Sequence, residues 1–123
     1  RGTNGLPLKH GMTMNRGDVF LVGLGGRAGK RPAVVLTRNG VLDYLNKVTV
    51  AEITSQGKGY PTEVPIGMQA NLPRESFVQT DNVHTVSKAR LDRYVGTLSD
   101  STMERISEAV VLALGLEKTV GRM

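Results

Sequence analysis

Three polar groups in this 123-residue sequence have the residue types needed to handle a phosphate or a nucleobase. Arg31 precedes Pro32, which biases it towards extended backbone at a loop-to-strand junction. Its guanidinium stays charged and can hold two phosphate oxygens at once; the plainer reading is a solvated arginine flanking a strand. Thr54-Ser55-Gln56-Gly57 closes a strand with hydroxyls and an amide able to donate to a phosphate or read a base edge, or else it is a polar turn. Gln79, Asp81, Asn82 and His84 are interleaved with Val78 and Val83. Their amide, carboxylate and imidazole groups suit splayed-out bases; the plainer reading is a β-turn at Asp81-Asn82 and a surface strand position for His84.

A glycine-rich stretch, Gly23-Leu24-Gly25-Gly26-Arg27-Ala28, follows the first apolar run. It matches the dinucleotide fingerprint, but that motif must open a helix, whereas Arg31-Pro32-Ala33-Val34-Val35 starts a strand. A phosphate-binding P-loop fails as well, since Leu24 stands five residues before Gly29 and Arg31 follows Lys30. What remains is a mobile loop, Gly23 to Lys30, whose Arg27 and Lys30 attract phosphate.

Composition narrows the chemistry. With no cysteine there is no disulfide framework, thiolate metal site or cysteine nucleophile. Two histidines, His10 and His84, exclude a histidine-rich zinc site, so neither metal nor cofactor is expected. Five aromatic residues and no RNA-recognition-motif signature make aromatic stacking a minor device. Net charge is +5; setting aside Arg1 and Lys9 leaves 14 basic against 11 acidic residues, or +3. Basic residues crowd the first half and acidic ones the last helix, which gives one face that favours polyanions. The longest apolar runs fall far short of the ~20 residues that span a bilayer. The chain therefore reads as a soluble, cytoplasmic protein without membrane association. Residues 1–11 read as an expression remnant or a disordered arm, with Met12 or Met14 as the natural start.

The elements that must position these groups are mostly strands. Asp18–Val22, Pro32–Thr37, Lys47–Ile53, Thr62–Ile66, Ser76–Thr80 and Tyr94–Leu98 carry strand patterns, and the second is apolar almost throughout, as in a strand covered on both faces. Helical turns are expected at Asn39–Leu45 and Ser87–Leu91. In the third strand Val48 and Val50 share a face that Ile53 leaves, so a bulge is expected near Ala51-Glu52. Ser101-Thr102-Met103-Glu104 matches a capping box. It opens a helix whose stripe is Met103, Ile106, Val110, Ala113 and Leu114, with Gly115 in the left-handed closing position. Many short strands and one terminal amphipathic helix make a mainly β (α+β) fold, a small β-barrel with a helix packed on it. The apolar excess at Val111 and Leu112 points to a homodimer.

In order and spacing these pieces resemble the MazF/PemK (Kid) family of toxin endoribonucleases from type II toxin–antitoxin systems. The resemblance runs from about Asn15 to Leu116. It rests on Arg16-Gly17-Asp18-Val19, the glycine-rich loop, Arg31-Pro32-Ala33-Val34-Val35, Ala51-Glu52-Ile53-Thr54-Ser55-Gln56 and Val83-His84-Thr85-Val86-Ser87-Lys88-Ala89-Arg90-Leu91. It implies a toxin domain over residues 12–116, a tail over 117–123, an SH3-like barrel and a homodimer. It also implies metal-independent cleavage of single-stranded RNA and a cognate MazE-like antitoxin. By the same resemblance Arg31 and Thr54 are catalytic. Where the Kid-like branch has Arg-x-Asp, this chain has Gln79-Thr80-Asp81, which leaves Asp81 between catalysis and base recognition. Arg27, Lys30, Ser55, Gln56, Gln79, Asn82 and His84 are the RNA-binding residues. The implied reaction is attack of a ribose 2′-OH on its phosphate, with Asp81 and His84 as candidate proton acceptors. The alternative is a CcdB-like toxin that poisons DNA gyrase, but that group ends in Trp-Gly-Ile and this chain ends Gly121-Arg122-Met123.

Overall fold

A computed structural model describes residues 13–26 and 29–118. The expected arm at 1–11, Arg27 in the glycine-rich loop and the last five residues of the expected tail lie outside the described residues. Six strands form one sheet: β1 (Asp18–Gly23), β2 (Lys30–Val35), β3 (Lys47–Thr54), β4 (Glu63–Gly67), β5 (Ser76–Ser87) and β6 (Leu91–Thr97). Their order is β4-β5-β3-β2-β1-β6 and every pairing is antiparallel. The mainly β expectation holds, with one terminal helix, α1 (Asp100–Ala113). The described ladder is open, running from β4 to β6 without a pairing between those two strands.

Both faces of the sheet carry apolar side chains, which is why residues 19–22 of β1 and 32–35 of β2 read as continuous hydrophobic runs. On one face Val19, Val34, Ala51, Ile53 and Val78 pack against Met103 and Ile106 of α1. On the other, Phe20, Val22, Ala33, Val35, Val48 and Val50 gather around Leu42 and Leu91. Phe20 meets Tyr94 edge-on, with ring centroids 5.7 Å apart. Pro32 is tolerated inside β2 because the β2–β3 ladder begins at Ala33, so no donor is required of it there.

The double coverage also explains Ile53. No bulge restores it to the face of Val48 and Val50; it belongs to the helix-side core. The expected irregularity does fall at Ala51/Glu52, but the extra residues are on β5. Ala51 pairs with Val83 and Glu52 with Gln79, so Thr80, Asp81 and Asn82 have no counterpart on β3. Thr80 is buried and anchors the excursion, its hydroxyl donating to the Thr62 carbonyl at 2.6 Å. Asp81-Asn82 is thus part of a long strand and not an isolated turn.

The helix starts earlier than the capping box suggests. Ser99, not Ser101, is the N-cap, its hydroxyl accepting the Thr102 amide at 3.2 Å, and Asp100 adds a favourable charge to the first turn. The buried stripe is Thr102, Met103, Ile106 and Ala109, while Leu114, expected inside, is 61% exposed. Gly115 takes the left-handed position with φ +69°, as expected. Ser87–Leu91 contains the expected turn as a 3-10 segment, Lys88–Arg90. Asn39–Leu45 forms hydrogen-bonded turns without a helix.

Candidate nucleic-acid interface

The β2–β3 ladder sets Val35 opposite Val50, Val34 opposite Ala51 and Ala33 opposite Glu52. Continued by two residues, the same register brings Arg31 across from Thr54 at the open end of the two strands. Both line a cavity of about 230 Å³, together with Ser55, Gln56 and Arg74. Thr54 Oγ1 accepts the Gln56 amide at 3.0 Å. Accepting through its oxygen leaves the hydroxyl hydrogen to donate outward. Among the described residues neither Arg31 nor Arg74 forms a salt bridge. Two guanidiniums and a hydroxyl around one small cavity offer the positive charge and the donors that a phosphodiester's oxygens accept. Arg74 was not singled out in the sequence, because it lies between strands, in a segment without periodicity.

Asp81, Gln79 and Asn82 border a second cavity, of about 160 Å³, which they share with Lys58, Tyr60 and Glu63. Its polar groups are tied together. The Thr62 hydroxyl donates to Asp81 Oδ2 at 2.5 Å, and Asn82 Nδ2 donates to Gln79 Oε1 at 3.0 Å. Gln79 Nε2 reaches Glu63 Oε2 at 3.5 Å. Glu63 Oε1 accepts the amides of Lys58 and Gly59 at 2.7 and 2.9 Å. The Lys58 amide above all, with the Gly59, Gln79 and Tyr60 donors, holds the Glu63 carboxyl below its ordinary range. Gln79 is opposite Glu52 and Phe77 opposite Thr54, so this cavity adjoins the first along β5.

The remaining expected residues are engaged elsewhere. His84 Nε2 is 2.6 Å from Glu52 Oε2, a partly buried pair. Glu52 escaped the sequence reading because nothing in its neighbourhood indicates a partner 32 residues away. Lys30 Nζ is 3.2 Å from Asp92 Oδ1, an exposed pair. No cluster of three or more metal-ligating side chains occurs among the described residues. A broader depression of about 760 Å³ lies between the sheet and the end of α1, lined by Leu36, Leu45, Val83, Val110 and Leu114.

Fold and site together define a class: a small antiparallel sheet on one terminal helix, with a small cavity lined by two arginines where two strands end. The chain belongs to the PemK-like, MazF-like toxin family of type II toxin–antitoxin systems, whose family profile matches residues 15–114. It is 38% identical over 90 residues to endoribonuclease MazF3 of Mycobacterium tuberculosis, covering 73% of this chain and 87% of that one. Against endoribonuclease MazF4 of the same organism it is 31% identical over 101 residues, or 82% and 92% of the two chains. Among solved structures, a mycobacterial endoribonuclease in complex with its cognate antitoxin superposes with a TM-score of 0.76 at 30% identity. That match covers 85% of this chain and 97% of the other. The Mycobacterium tuberculosis toxin MazF-mt6 gives 0.74 at 34% identity, over 80% and 96%. The expected family is borne out. Among the described residues no helix is long and apolar enough to cross a membrane.

Proposed function

We propose that this chain is a sequence-selective endoribonuclease toxin that cuts single-stranded RNA in the cytoplasm without a metal. The observation that carries the reading is the cavity shared by Arg31, Thr54 and Arg74. Arg31 grips two non-bridging phosphate oxygens, and the Thr54 hydroxyl donates to the charge that develops on them. The ribose 2′-oxygen bonds to phosphorus, the P–O5′ bond breaks, and the proton of the 2′-OH ends on O5′. The products are a 2′,3′-cyclic phosphate and a 5′-OH. Ser55, Gln56, Gln79 and Asn82 contact the RNA beside that phosphate, Lys30 and His84 would do so by leaving their pairs with Asp92 and Glu52, and Arg27 is a further RNA-binding residue.

On this reading the open sheet is the frame of an SH3-like barrel, and a cognate MazE-like antitoxin neutralises the toxin by covering the RNA groove. Two copies of the chain form the working unit. The apolar depression beside α1, with Leu112 and Leu114 exposed at the helix end, supplies surface for that dimer. Light scattering should then report twice the chain mass at micromolar concentration; an active monomer would refute the dimer.

The deciding experiment incubates the protein with a long defined RNA in excess chelator and maps the cut ends. Arg31→Ala and Thr54→Ala should each lower cleavage about 10²- to 10³-fold with thermal midpoints little moved. A toxin that poisons gyrase on the same frame would be indifferent to both changes in any RNA assay. An inactive parent protein, or full activity in both variants, would overturn the assignment.

A further inference from the structure

We propose that the cavity beside Asp81 is a nucleobase pocket selective for guanine, with Asp81 as a specificity-determining residue; this deepens the RNA-cleaving reading above and rests on it. The cavity, about 160 Å³, has room for one planar base. Its charge is opposite to that of the neighbouring cavity. Asp81 and Glu63 outnumber Lys58 around it, whereas Arg31 and Arg74 line the other with no carboxylate, so a phosphate is disfavoured here and drawn there. A base is the part of RNA that carries donors without charge.

The hydrogen-bond pattern selects among the bases. Asp81 Oδ2 takes the Thr62 hydroxyl on one lone pair, which fixes the carboxylate and leaves Oδ1 and the second lone pair of Oδ2 to accept. Gln79 is locked between Asn82 and Glu63, so its amide is not free to rotate and satisfy a different base. A fixed carboxylate accepts best from two adjacent N–H donors, and guanine offers them at N1 and N2 on one edge. Beside them its O6 is an acceptor, and Lys58, in the lining of the cavity, carries an ammonium that can donate to it. Uracil presents one N–H between two carbonyls. Adenine and cytosine each present an amine next to an acceptor nitrogen, which would face a carboxylate oxygen. Tyr60, 56% exposed at the rim, provides a ring on which the base can stack. From the Thr54–Phe77 pair to the Glu52–Gln79 pair is two residues, about 7 Å. One extended nucleotide covers that distance, so the pocket reads a base close to the scissile phosphate.

Two measurements test this. The full chain is titrated with GMP, AMP, CMP and UMP while backbone amide shifts of Lys58, Gly59 and Gln79 are followed. Only GMP should move them, and Asp81→Asn should weaken that response. Cut sites are then mapped on a long RNA of balanced composition. The parent should favour guanine at one fixed position near the cut. Asp81→Asn should lower kcat/KM at guanine sites relative to guanine-free sites by about ten- to a hundredfold, chiefly through KM. Thr62→Val should shift the ratio the same way by less. Cleavage with no guanine preference, or an equal loss of kcat at every sequence in Asp81→Asn, overturns the pocket and leaves the nuclease reading standing. GMP-selective shifts in a protein that cuts no RNA support the pocket and overturn the nuclease reading.

Discussion

His84 Nε2 and Glu52 Oε2 are 2.6 Å apart although the residue directly opposite His84 in the ladder is Val50. The contact is diagonal, reaching across the point where β5 leaves its register with β3. With the Glu52 side chain only 18% exposed, the pair clips that irregularity together. A double-mutant cycle of Glu52→Ala and His84→Ala should give a coupling of about 1 kcal/mol by urea unfolding. Additive losses would mean that the two side chains do not support each other.

Arg74 should contribute more to RNA affinity than Lys30. Arg74 faces the cavity unpaired, whereas Lys30 is partnered by Asp92. With an uncleavable 2′-O-methyl RNA, Arg74→Ala should reduce the slope of log affinity against log salt by about 0.7, one single-strand phosphate contact. Lys30→Ala should change it less.

Arg31→Lys should not rescue Arg31→Ala. The ammonium keeps the charge but is a point donor, and it cannot reproduce the planar two-oxygen grip. Single-turnover cleavage of a defined RNA should show the lysine variant still down by about 10² or more. Near-parental rates would mean that charge alone suffices.

The loop from Lys58 to Tyr60 should loosen in acid. Glu63 has a folded pKa below its ordinary value of 4.5, set first by the Lys58 amide. Its stabilising effect is therefore complete above the unfolded pKa and is lost as pH falls through the lower folded value. Protection of the Lys58 and Gly59 amides, measured against their intrinsic exchange rates, should fall over that acidic window in the parent. In Glu63→Gln it should be low and nearly independent of pH there.

Gly96 is required by a close approach. A Cβ built there would lie 2.6 Å from the backbone of Ala70, which itself has φ 57°. Gly96→Ala should cost about 1–3 kcal/mol in urea unfolding. Ala70→Gly, which relieves the left-handed alanine, should stabilise by about 1 kcal/mol.

What could be read in the sequence follows from how local each signal is. Val34, Val50 and Ile106 announce buried strands and a helix because their neighbours in sequence set the period. Arg31 and Thr54 are marked by Pro32 and by the strand end, and the β2–β3 register then joins them. Ser99 and Ser101 both precede the same apolar stripe, so spacing alone does not say which caps the helix; the Thr102 amide donating to the Ser99 hydroxyl decides it. Glu52, Glu63 and Arg74 were missed for a different reason. Each gains its role from a partner that pairing or a loop brings from elsewhere, and no spacing along the chain encodes that.

Thr80, Asp81 and Asn82 have no counterpart on β3, so they escape the constraint that holds the rest of β5 in step. Thr80 is the foot, buried and bonded to Thr62. Asp81 and Asn82 form the exposed tip, where a change of residue leaves every rung on either side intact. The sheet thus carries an exchangeable cassette. With the roles proposed above, descendants of this chain could acquire a new target vocabulary there while inheriting the scaffold, the proposed phosphate site and the helix unchanged.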